Sequence, residues 1–315
     1  MRILVTGGAG FIGSNLVDEL IKHRHNVIII DDLSTGFKKN INSKSKFYKT
    51  DIENFKEVED VFKKEKPEII FHLAAQINLQ KSITDPISNA TTNILASINL
   101  IKLSRKYKIK KFIFSSTGGA IYGETNKKPA NENYPEWPLS PYGITKLTID
   151  KYLNYYYWMF NLKYVSLRYS NVYGPRQSPN GEAGVVAVFL NKMFNDKQPV
   201  INGDGKQTRD YVFVNDVVNA NILALKNFKQ VGVYNIGTGI EINVNQLFQE
   251  INEQFKNKFE ERHGPAKTGE QKTSCLNYSK IKKEFGWEPK VNIKQGIKKT
   301  YDWFFKNADK KDKEQ

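Results

Sequence analysis

The sequence predicts an α/β fold, a doubly wound parallel sheet that carries a smaller mixed α/β lobe. Two observations predict it. Short apolar runs alternate with helical patterns through the first half of the 315 residues, which is typical of a parallel sheet covered on both faces. Beyond Asn171 the pattern becomes irregular, and Gly174 and Pro175 open a polar stretch that extends to Gly184. This change indicates a separate lobe at the end of the sheet.

The first 170 residues of the chain supply the strands of this sheet. Uninterrupted apolar runs are typical of strands buried on both faces. We expect these strands at residues 2–6, 26–31, 69–73, 111–115 and 164–168. Apolar residues spaced three or four apart predict the helices that connect them. We expect these helices at residues 13–22, 58–64, 89–107 and 146–160.

The second half predicts two parts that interleave. A helix at 216–225 returns to the main sheet, whereas a helix at 244–255 belongs to the lobe. We therefore expect a Rossmann domain over residues 1–170 that also receives 210–238. The lobe is expected over 171–306, and residues 307–315 form a polar tail.

The net charge of +15, from 48 basic and 33 acidic residues, raises the question of a nucleic-acid partner. Only seven of the basic residues are arginines, and the lysines are dispersed from Lys22 to Lys313. Specific nucleic-acid readers favour arginine and interleaved aromatic side chains on one face. We therefore expect a solvated surface and no nucleic-acid partner.

The composition also bears on compartment and metal content. A single cysteine, Cys275, cannot form an internal disulfide, which favours a reducing compartment. No apolar run approaches the roughly 20 residues of a membrane span, and Met1 leads into a strand without a cleavage site. We expect a cytoplasmic protein with no membrane partner. The histidines have no metal-ligand spacing, so no metal site is expected: His23, His25, His72 and His263.

Closely spaced glycines lie directly after the first strand and at the start of a helix. Glycine lets backbone N–H groups approach a pyrophosphate, and the helix N-terminus adds the positive end of its dipole. This pattern predicts a dinucleotide site. The residues expected to contact the cofactor here are Gly7, Gly10, Phe11, Ile12 and Gly13.

Two acidic residues, Asp31 and Asp32, end the second predicted strand. A carboxylate at this place accepts hydrogen bonds from the adenosine ribose and repels a 2′-phosphate, so NAD is favoured over NADP. The alternative for Asp31 is a cap of the turn that follows.

Tyr142 and Lys146 lie four residues apart at the start of a predicted helix, so their side chains share one face. An ammonium beside a phenol lowers the tyrosine pKa, and a nicotinamide cation would act in the same direction. Such a tyrosine can take a proton from a substrate alcohol. Ser116 and Thr117 end a parallel strand, where active sites of such sheets lie, and they add hydroxyls.

With these motifs, the chain resembles the extended short-chain dehydrogenase/reductase superfamily and, within it, the UDP-sugar 4-epimerases. The resemblance covers nearly the whole chain and rests on motifs in the family's order. Besides the glycine turn and the Tyr142–Lys146 pair, they are Asp51-Ile52, Phe71-His-Leu-Ala-Ala75, Asn93, Ser116-Thr117, Leu167-Arg-Tyr-Ser-Asn-Val-Tyr-Gly-Pro-Arg176 and Gly203-Asp-Gly-Lys-Gln-Thr-Arg-Asp210.

The resemblance implies a role for each motif. Asp51 and Ile52 would contact adenine, and the segment Leu73, Ala74 and Ala75 would line the cofactor. Lys146 would bind the nicotinamide ribose. Thr117 and Tyr142 would contact the sugar O4, with Ser116 as the alternative hydroxyl donor. The residues implied to bind the UDP-sugar are Thr117, Asn171, Val185, Arg209, Lys267, Glu270 and Ser274.

The implied reaction is NAD-dependent 4-epimerisation of a UDP-hexose through a 4-keto sugar. Related 4,6-dehydratases carry an Asp-Glu pair after the catalytic threonine, whereas Gly118 and Gly119 follow Thr117 here. Uronate-using relatives carry a threonine and an arginine where this chain has Asn171 and Ser178. Both differences favour 4-epimerisation of a neutral hexose. A dehydratase, a uronate epimerase and a non-catalytic NAD sensor are the alternatives.

Two further expectations follow from the resemblance. Ser274 takes the place of a bulky tyrosine in some relatives, so UDP-GlcNAc and UDP-GalNAc are expected to be accepted beside UDP-glucose and UDP-galactose. The helices at 89–107 and 146–160 are expected to form a four-helix homodimer interface.

Overall fold

Seven parallel strands form the main sheet of the computed structural model, which describes residues 1–124, 129–179, 184–266 and 271–308. The strands are β1 (Arg2–Thr6), β2 (Asn26–Asp31), β3 (Lys46–Lys49), β4 (Ile69–His72), β5 (Lys111–Thr117), β6 (Tyr164–Tyr169) and β10 (Gly232–Ile236). Their order is β10-β6-β5-β4-β1-β2-β3. The order reverses between β1 and β4, which opens a crevice at the carboxyl ends of the strands. The predicted doubly wound α/β fold is confirmed.

Helices cover both faces of this sheet. They are α1 (Phe11–Lys22), α2 (Phe55–Glu65), α3 (Leu79–Thr84), α4 (Pro86–Ala90), α5 (Ala96–Lys106), α6 (Gly118–Ile121), α7 (Pro141–Phe160) and α9 (Val214–Lys226). On one face α1 and α9 pack against the sheet, and on the other face α2, α5 and α7 do so. Alternate strand residues serve the two cores: Ile3 and Val5 lie in the first, and Leu4 lies in the second.

Several elements differ from their predicted bounds, and three of these differences lie close to the candidate site. The helix predicted at 89–107 is divided into α4, a π turn at Thr91–Leu95, and α5. Helix α7 begins at Pro141 rather than at 146, because Ser140 caps it by accepting a hydrogen bond from Gly143 N. Strand β5 continues to Thr117, and the residues after it form the short helix α6 instead of a loop.

In the described residues, the lobe contains short strands and four helices. Its strands are β7 (Asn171–Tyr173), β8 (Ile201–Asn202), β9 (Thr208–Phe213), β11 (Glu241–Asn243), β12 (His263–Gly264) and β13 (Thr273–Ser274), and its helices are α8 (Val185–Phe194), α10 (Val244–Glu253), α11 (Ser279–Phe285) and α12 (Ile293–Ala308). β9 pairs with β7, β11 and β13. The predicted domain limits stay a prediction, and residues 309–315 of the tail lie outside the described part.

Within the described ranges, no helix has both the length and the apolar character that a membrane crossing needs.

Candidate active site

The turn between β1 and α1 is shaped by its glycines. Gly7 has φ +70°, and a Cβ on it would lie 2.8 Å from Ala74 N. A Cβ on Gly13 would lie 2.1 Å from Gly7 O, so α1 can approach the turn only without a side chain there. Among the described residues no side chain caps α1, whose N-cap is Gly10. The N–H groups of its first turn, from Phe11 onward, are therefore suited to an anion.

Asp31 closes this turn from β2. Its carboxylate accepts hydrogen bonds from Ala9 N and Leu33 N, each at 2.9 Å, and burial raises its pKa. The residue thus caps the turn, which was the alternative reading, and each oxygen keeps a second lone pair for another donor. Asp32 is exposed and accepts from Ser34 N and Ser34 Oγ.

The segment after β4 lies against the same turn. Thr6 Oγ1 accepts from Leu73 N and Ala74 N at 3.2 Å, which leaves its proton for His72 Nδ1 at 2.7 Å. His72 Nε2 then donates to Ser97 Oγ at 2.8 Å. Burial lowers the pKa of His72 to about 3, so it is neutral and has a structural place, as expected.

The other residues assigned to the cofactor lie around this turn. Leu73, Ala74 and Ala75 are half-buried after β4. Beyond β3, the exposed Asp51 caps its own turn by accepting from Glu53 N, and Ile52 is buried in the core on the α2 side. β3 pairs with β2, so Asp51 and Ile52 follow the strand next to the one that ends at Asp31.

The first two turns of α7 carry Tyr142 and Lys146. Lys146 Nζ donates to the Ser115 carbonyl at 2.9 Å and lies 5.8 Å from the centroid of the Tyr142 ring. It also lies 4.8 Å from the Phe114 ring centroid. Lys146 thus meets the end of β5, and the Tyr142 ring lies beside it on the same helix.

The pKa values of this pair bear on one expectation. Burial raises the pKa of Tyr142 to about 12 and lowers the pKa of Lys146 to about 8. In the protein residues by themselves burial therefore outweighs Lys146, and the expected lowering of the Tyr142 pKa with a cofactor bound stays a prediction. The physical reason is desolvation, which disfavours the charged form of each group in the same crevice.

Three of the assigned substrate residues converge on one glycine. A Cβ built on Gly119 would lie 3.7 Å from Asn171 Oδ1 and 3.9 Å from both Ser274 Oγ and Thr117 Oγ1. These oxygens come from β7, β13 and the end of β5. The main sheet and the lobe therefore both contribute polar oxygens to the space around Gly119.

Strand β9 sets the geometry of the lobe side. Arg209 pairs with Ser274 across β13, and two residues further along β9 Tyr211 pairs with Asn171. Arg209 Nη1 donates to the Thr208 carbonyl at 2.8 Å. The buried Asp210 accepts hydrogen bonds from the segments that follow β10 and β13, including Leu276 N at 3.2 Å, and so holds them against β9.

Two assigned residues, Lys267 and Glu270, lie outside the described residues. Val185 is half-buried as the first residue of α8. That helix starts beside β7, because a Cβ on Gly184 would lie 2.5 Å from Gln177 Nε2, which itself donates to the Val172 carbonyl at 3.0 Å.

Sequence reasoning missed a buried network behind Tyr142 and Lys146. Asp150 accepts hydrogen bonds from Ser116 and Ser166 and forms an ion pair with Arg168. Arg168 also donates to Tyr122 OH at 2.9 Å. The available signal was the spacing of four residues between Lys146 and Asp150.

Comparisons with known proteins agree with this geometry. Residues 3–237 match the NAD dependent epimerase/dehydratase family. The chain is 47% identical to a UDP-glucose 4-epimerase from Thermotoga maritima solved with UDP-glucose, with a TM-score of 0.95 over 98% of this chain and 100% of that chain.

Two further solved structures are similar to the chain. A Thermus thermophilus UDP-glucose 4-epimerase in complex with NAD is 38% identical, with a TM-score of 0.91 over 97% of this chain and 99% of that one. A Methanobrevibacter ruminantium UDP-N-acetylglucosamine 4-epimerase in complex with UDP-N-acetylmuramic acid is 33% identical, with a TM-score of 0.91 over 97% and 98%. The chain therefore belongs to the NAD dependent epimerase/dehydratase family.

Proposed function

We propose that this chain is an isomerase, an NAD-dependent 4-epimerase of UDP-hexoses. The single observation that carries the proposal is that Lys146, one helical turn after Tyr142 on α7, donates to the Ser115 carbonyl at the carboxyl end of β5, the strand that ends in Thr117. Similarity to UDP-sugar 4-epimerases along 97–98% of the chain supports it.

The residues present fit NAD. The uncapped N-terminus of α1 would hold the pyrophosphate, because its N–H groups and dipole favour an anion. Asp31 can accept hydrogen bonds from ribose hydroxyls beside its two backbone hydrogen bonds, and its negative charge would repel a 2′-phosphate. Asp51, Ile52 and the segment Leu73–Ala75 would hold the adenine and the rest of the cofactor, and Lys146 the nicotinamide ribose.

When bound, NAD supplies a reversible acceptor for the hydride of the sugar C4. Tyr142 takes the O4 proton as the alcohol is oxidised and returns it when the ketone is reduced. Its pKa of about 12 must fall for this task, and the positive charges of Lys146 and of the oxidised cofactor both act in that direction. Thr117 donates a hydrogen bond to O4 and holds it near the phenol.

The lobe would bind the UDP moiety while the sugar ring turns over in the site. Arg209 suits the pyrophosphate because a guanidinium donates bidentately to phosphate oxygens. Asn171, Val185 and Ser274, with Lys267 and Glu270, complete the substrate set. Binding energy from UDP leaves the sugar ring free to turn over in its 4-keto form, so that hydride returns to the opposite face.

The alternatives are less favoured. Dehydration needs an acid and a base beside C5 and C6, and the two residues after Thr117 are glycines. A side chain at 118 would also overlap the buried Leu276, whose Cδ1 lies 2.4 Å from a built Cβ. Asn171 supplies no cation for a uronate, and a non-catalytic sensor would have no need for the Tyr142–Lys146 pair.

The same site supports acceptance of N-acetylated sugars. Gly119 has no side chain and Ser274 has a small one, and three polar oxygens converge beside them. A methyl-sized group built at 119 would lie 3.7–3.9 Å from these three oxygens, which is ordinary van der Waals contact, so a group of that size fits beside Thr117 without a clash. UDP-GlcNAc and UDP-GalNAc are therefore included as substrates beside UDP-glucose and UDP-galactose.

We also propose that the chain forms a homodimer through α7 and the helices around the π turn. Ile144, Tyr152, Tyr155 and Met159 form one exposed stripe of α7 at helical spacing. Ile87 and Leu95, 79% and 56% exposed, border an adjacent apolar hollow of about 370 Å³. A second copy that buries these side chains on both molecules gives the isologous contact usual for dimers.

The oligomer is tested by light scattering on a gel-filtration column. Trp158 is 76% exposed on α7, and Trp158→Asp is expected to give a monomer. Trp137 is 74% exposed but lies outside α7, so Trp137→Asp is the matched control that keeps the dimer. A wild-type monomer contradicts the proposal.

A cytoplasmic location, which the single buried Cys275 favours, is tested by cell fractionation.

The activity is tested by incubating the purified protein with UDP-glucose, UDP-galactose, UDP-GlcNAc, UDP-GalNAc and UDP-glucuronate, followed by chromatographic separation of the products. We expect interconversion within the first pair and within the second pair, and no reaction of the glucuronate. Formation of a 4-keto-6-deoxy product would contradict the epimerase proposal, and inert UDP-GlcNAc would restrict it to the plain hexoses.

A further inference from the structure

Helix α7, which carries Tyr142 and Lys146, also carries a buried carboxylate, Asp150. Asp150 lies four residues after Lys146, so both side chains lie on one face of the helix. Asp150 is 2% exposed and Lys146 is 4% exposed. Charges buried to this degree are costly unless an opposite charge and hydrogen bonds compensate them.

Both side chains hold the end of β5. Lys146 Nζ donates to the Ser115 carbonyl at 2.9 Å, and the next residue, Ser116, donates its hydroxyl to Asp150 at 3.3 Å. Thr117 follows directly. Helix α7 is therefore hydrogen-bonded to two adjacent residues of β5, just before Thr117, whose hydroxyl is proposed to contact the substrate.

Arg168 and Ser166 hold Asp150 from β6. Arg168 Nε and Nη2 lie 2.9 and 2.8 Å from Asp150 Oδ2, and the Ser166 hydroxyl donates to Oδ1. Burial raises the pKa of Asp150, whereas the charge of Arg168 and the serine donors act in the opposite direction. A carboxylate paired in this way with a guanidinium stays ionised at neutral pH.

The surroundings of Lys146 contain few charges. Tyr142 and Asp150 face it from α7, the Phe114 ring and the Ser115 carbonyl from β5, and the neutral His72 from β4. Arg168 on β6 acts on it across Asp150, with the opposite sign. Among these described neighbours Asp150 is the one carboxylate. Burial lowers the pKa of Lys146 to about 8, and the charge of Asp150 opposes that shift.

We propose that Asp150 is a positioning residue of the active site, whose carboxylate keeps Lys146 in its charged form and seated on Ser115. Its catalytic consequence rests on the proposed function, because a charged Lys146 favours the phenolate of Tyr142. Without the carboxylate, Lys146 would release its proton at a lower pH, and the phenol would lose that stabilisation over the range in which the enzyme works.

The test is a titration of Lys146 in the NAD-loaded enzyme by NMR, with lysines labelled at the ε carbon and the signal assigned by Lys146→Met. Asp150→Asn is expected to lower the Lys146 pKa, because the variant removes the charge that opposes the effect of burial. The alkaline loss of kcat should move to lower pH in the same variant, and Asp150→Glu should restore both. An Asp150→Glu enzyme that behaves like Asp150→Asn would overturn the proposal.

Ser166→Ala is the matched control, since it removes a hydrogen bond to the same carboxylate and leaves its charge. It should leave the Lys146 titration at the wild-type position. If Asp150→Asn fails to fold because Arg168 loses its partner, the double variant Asp150→Asn/Arg168→Gln is compared with Arg168→Gln, so that the difference in the Lys146 pKa between them reports the loss of the Asp150 charge. A Lys146 pKa that stays at its wild-type value in the folded variant overturns the proposal.

The two proposals fail separately. A wild-type protein without epimerase activity contradicts the proposed function, yet the Lys146 titration still tests Asp150. If the enzyme is active and Asp150→Asn changes neither the Lys146 pKa nor the pH dependence of kcat, the role of Asp150 is contradicted and the proposed function stands.

Discussion

The main sheet and the lobe contribute to the site in different ways. The main sheet presents Asp31, Thr117 and the segment after His72 at the ends of neighbouring parallel strands. The lobe brings Asn171, Arg209 and Ser274 from distant segments onto short strands paired with β9. Parallel pairing alone aligns the first group, whereas the second depends on strands of two to six residues that only long-range contacts hold.

The comparison predicts that the main-sheet half governs the chemistry and the lobe half governs binding. The strongest test is Tyr142→Phe, which removes the proton-transfer group and keeps the ring. We expect kcat to fall about a hundred- to ten-thousand-fold with little change in Tm, measured by product separation and calorimetry. Tyr152→Phe, on the exposed side of the same helix, is the control. Full activity in Tyr142→Phe would refute the assignment.

The lobe half is tested by Arg209→Gln. Hydrogen bonds from a charged donor contribute about 1.5–3 kcal/mol, so KM for the UDP-sugar should rise about ten- to a hundredfold while kcat changes less. Arg262→Gln is the control, because Arg262 is an exposed lobe arginine paired with Glu260. A fall in kcat with unchanged KM would place Arg209 in the chemical step and break the division between the halves.

The junction between α7 and α6 is tested by a pair of glycines. A Cβ on Gly143 would lie 2.6 Å from the Ala120 carbonyl, whereas one on Gly119 would meet nothing closer than 3.7 Å. Overpacking costs about 1–3 kcal/mol, of which helix propensity returns about 1, so Gly143→Ala should lower Tm by a few degrees and also lower kcat. Gly119→Ala should keep the wild-type Tm; equal loss in both variants would contradict the packing argument.

The smallest effect concerns two histidines, one in each half. Burial lowers the pKa of His72 to about 3, whereas the Gly203 carbonyl and Glu261 raise the pKa of the exposed His263. An NMR titration should therefore show His263 changing above pH 6.5 and His72 unchanged down to about pH 4. A His72 midpoint near 6.5 would contradict its burial between Thr6 and Ser97.

These pKa shifts have opposite consequences for stability. The lowered pKa of His72 means that the unfolded chain binds the proton first as pH falls below 6.5. Stability is then lost by about 1.4 kcal/mol per pH unit until about pH 3. His263 has the reverse sign: its contribution is present below pH 6.5 and is lost as pH rises through its raised pKa. Calorimetric Tm measured against pH checks the first effect.

Prediction from the sequence succeeded where a local pattern fixes the geometry. The apolar runs predicted β1 and β2 at their observed bounds, and the spacing of Tyr142 and Lys146 placed both on one helix, α7, whose Lys146 meets the end of β5. It was less accurate at helix ends, because the Ser140 cap and the π turn at Thr91–Leu95 depend on side-chain hydrogen bonds and tertiary packing. The short lobe strands carry too few residues to show a period.

The sequence by itself determined the fold class, the glycine turn and the residue types that the chemistry needs, since each depends on short-range periodicity and spacing. Tertiary structure alone decided that Thr117, Asn171 and Ser274 converge on Gly119, that burial raises the pKa of Tyr142, and that Ser116, Ser166 and Arg168 meet Asp150. The physical reason is that distance across the fold and desolvation depend on long-range packing, which no local pattern encodes.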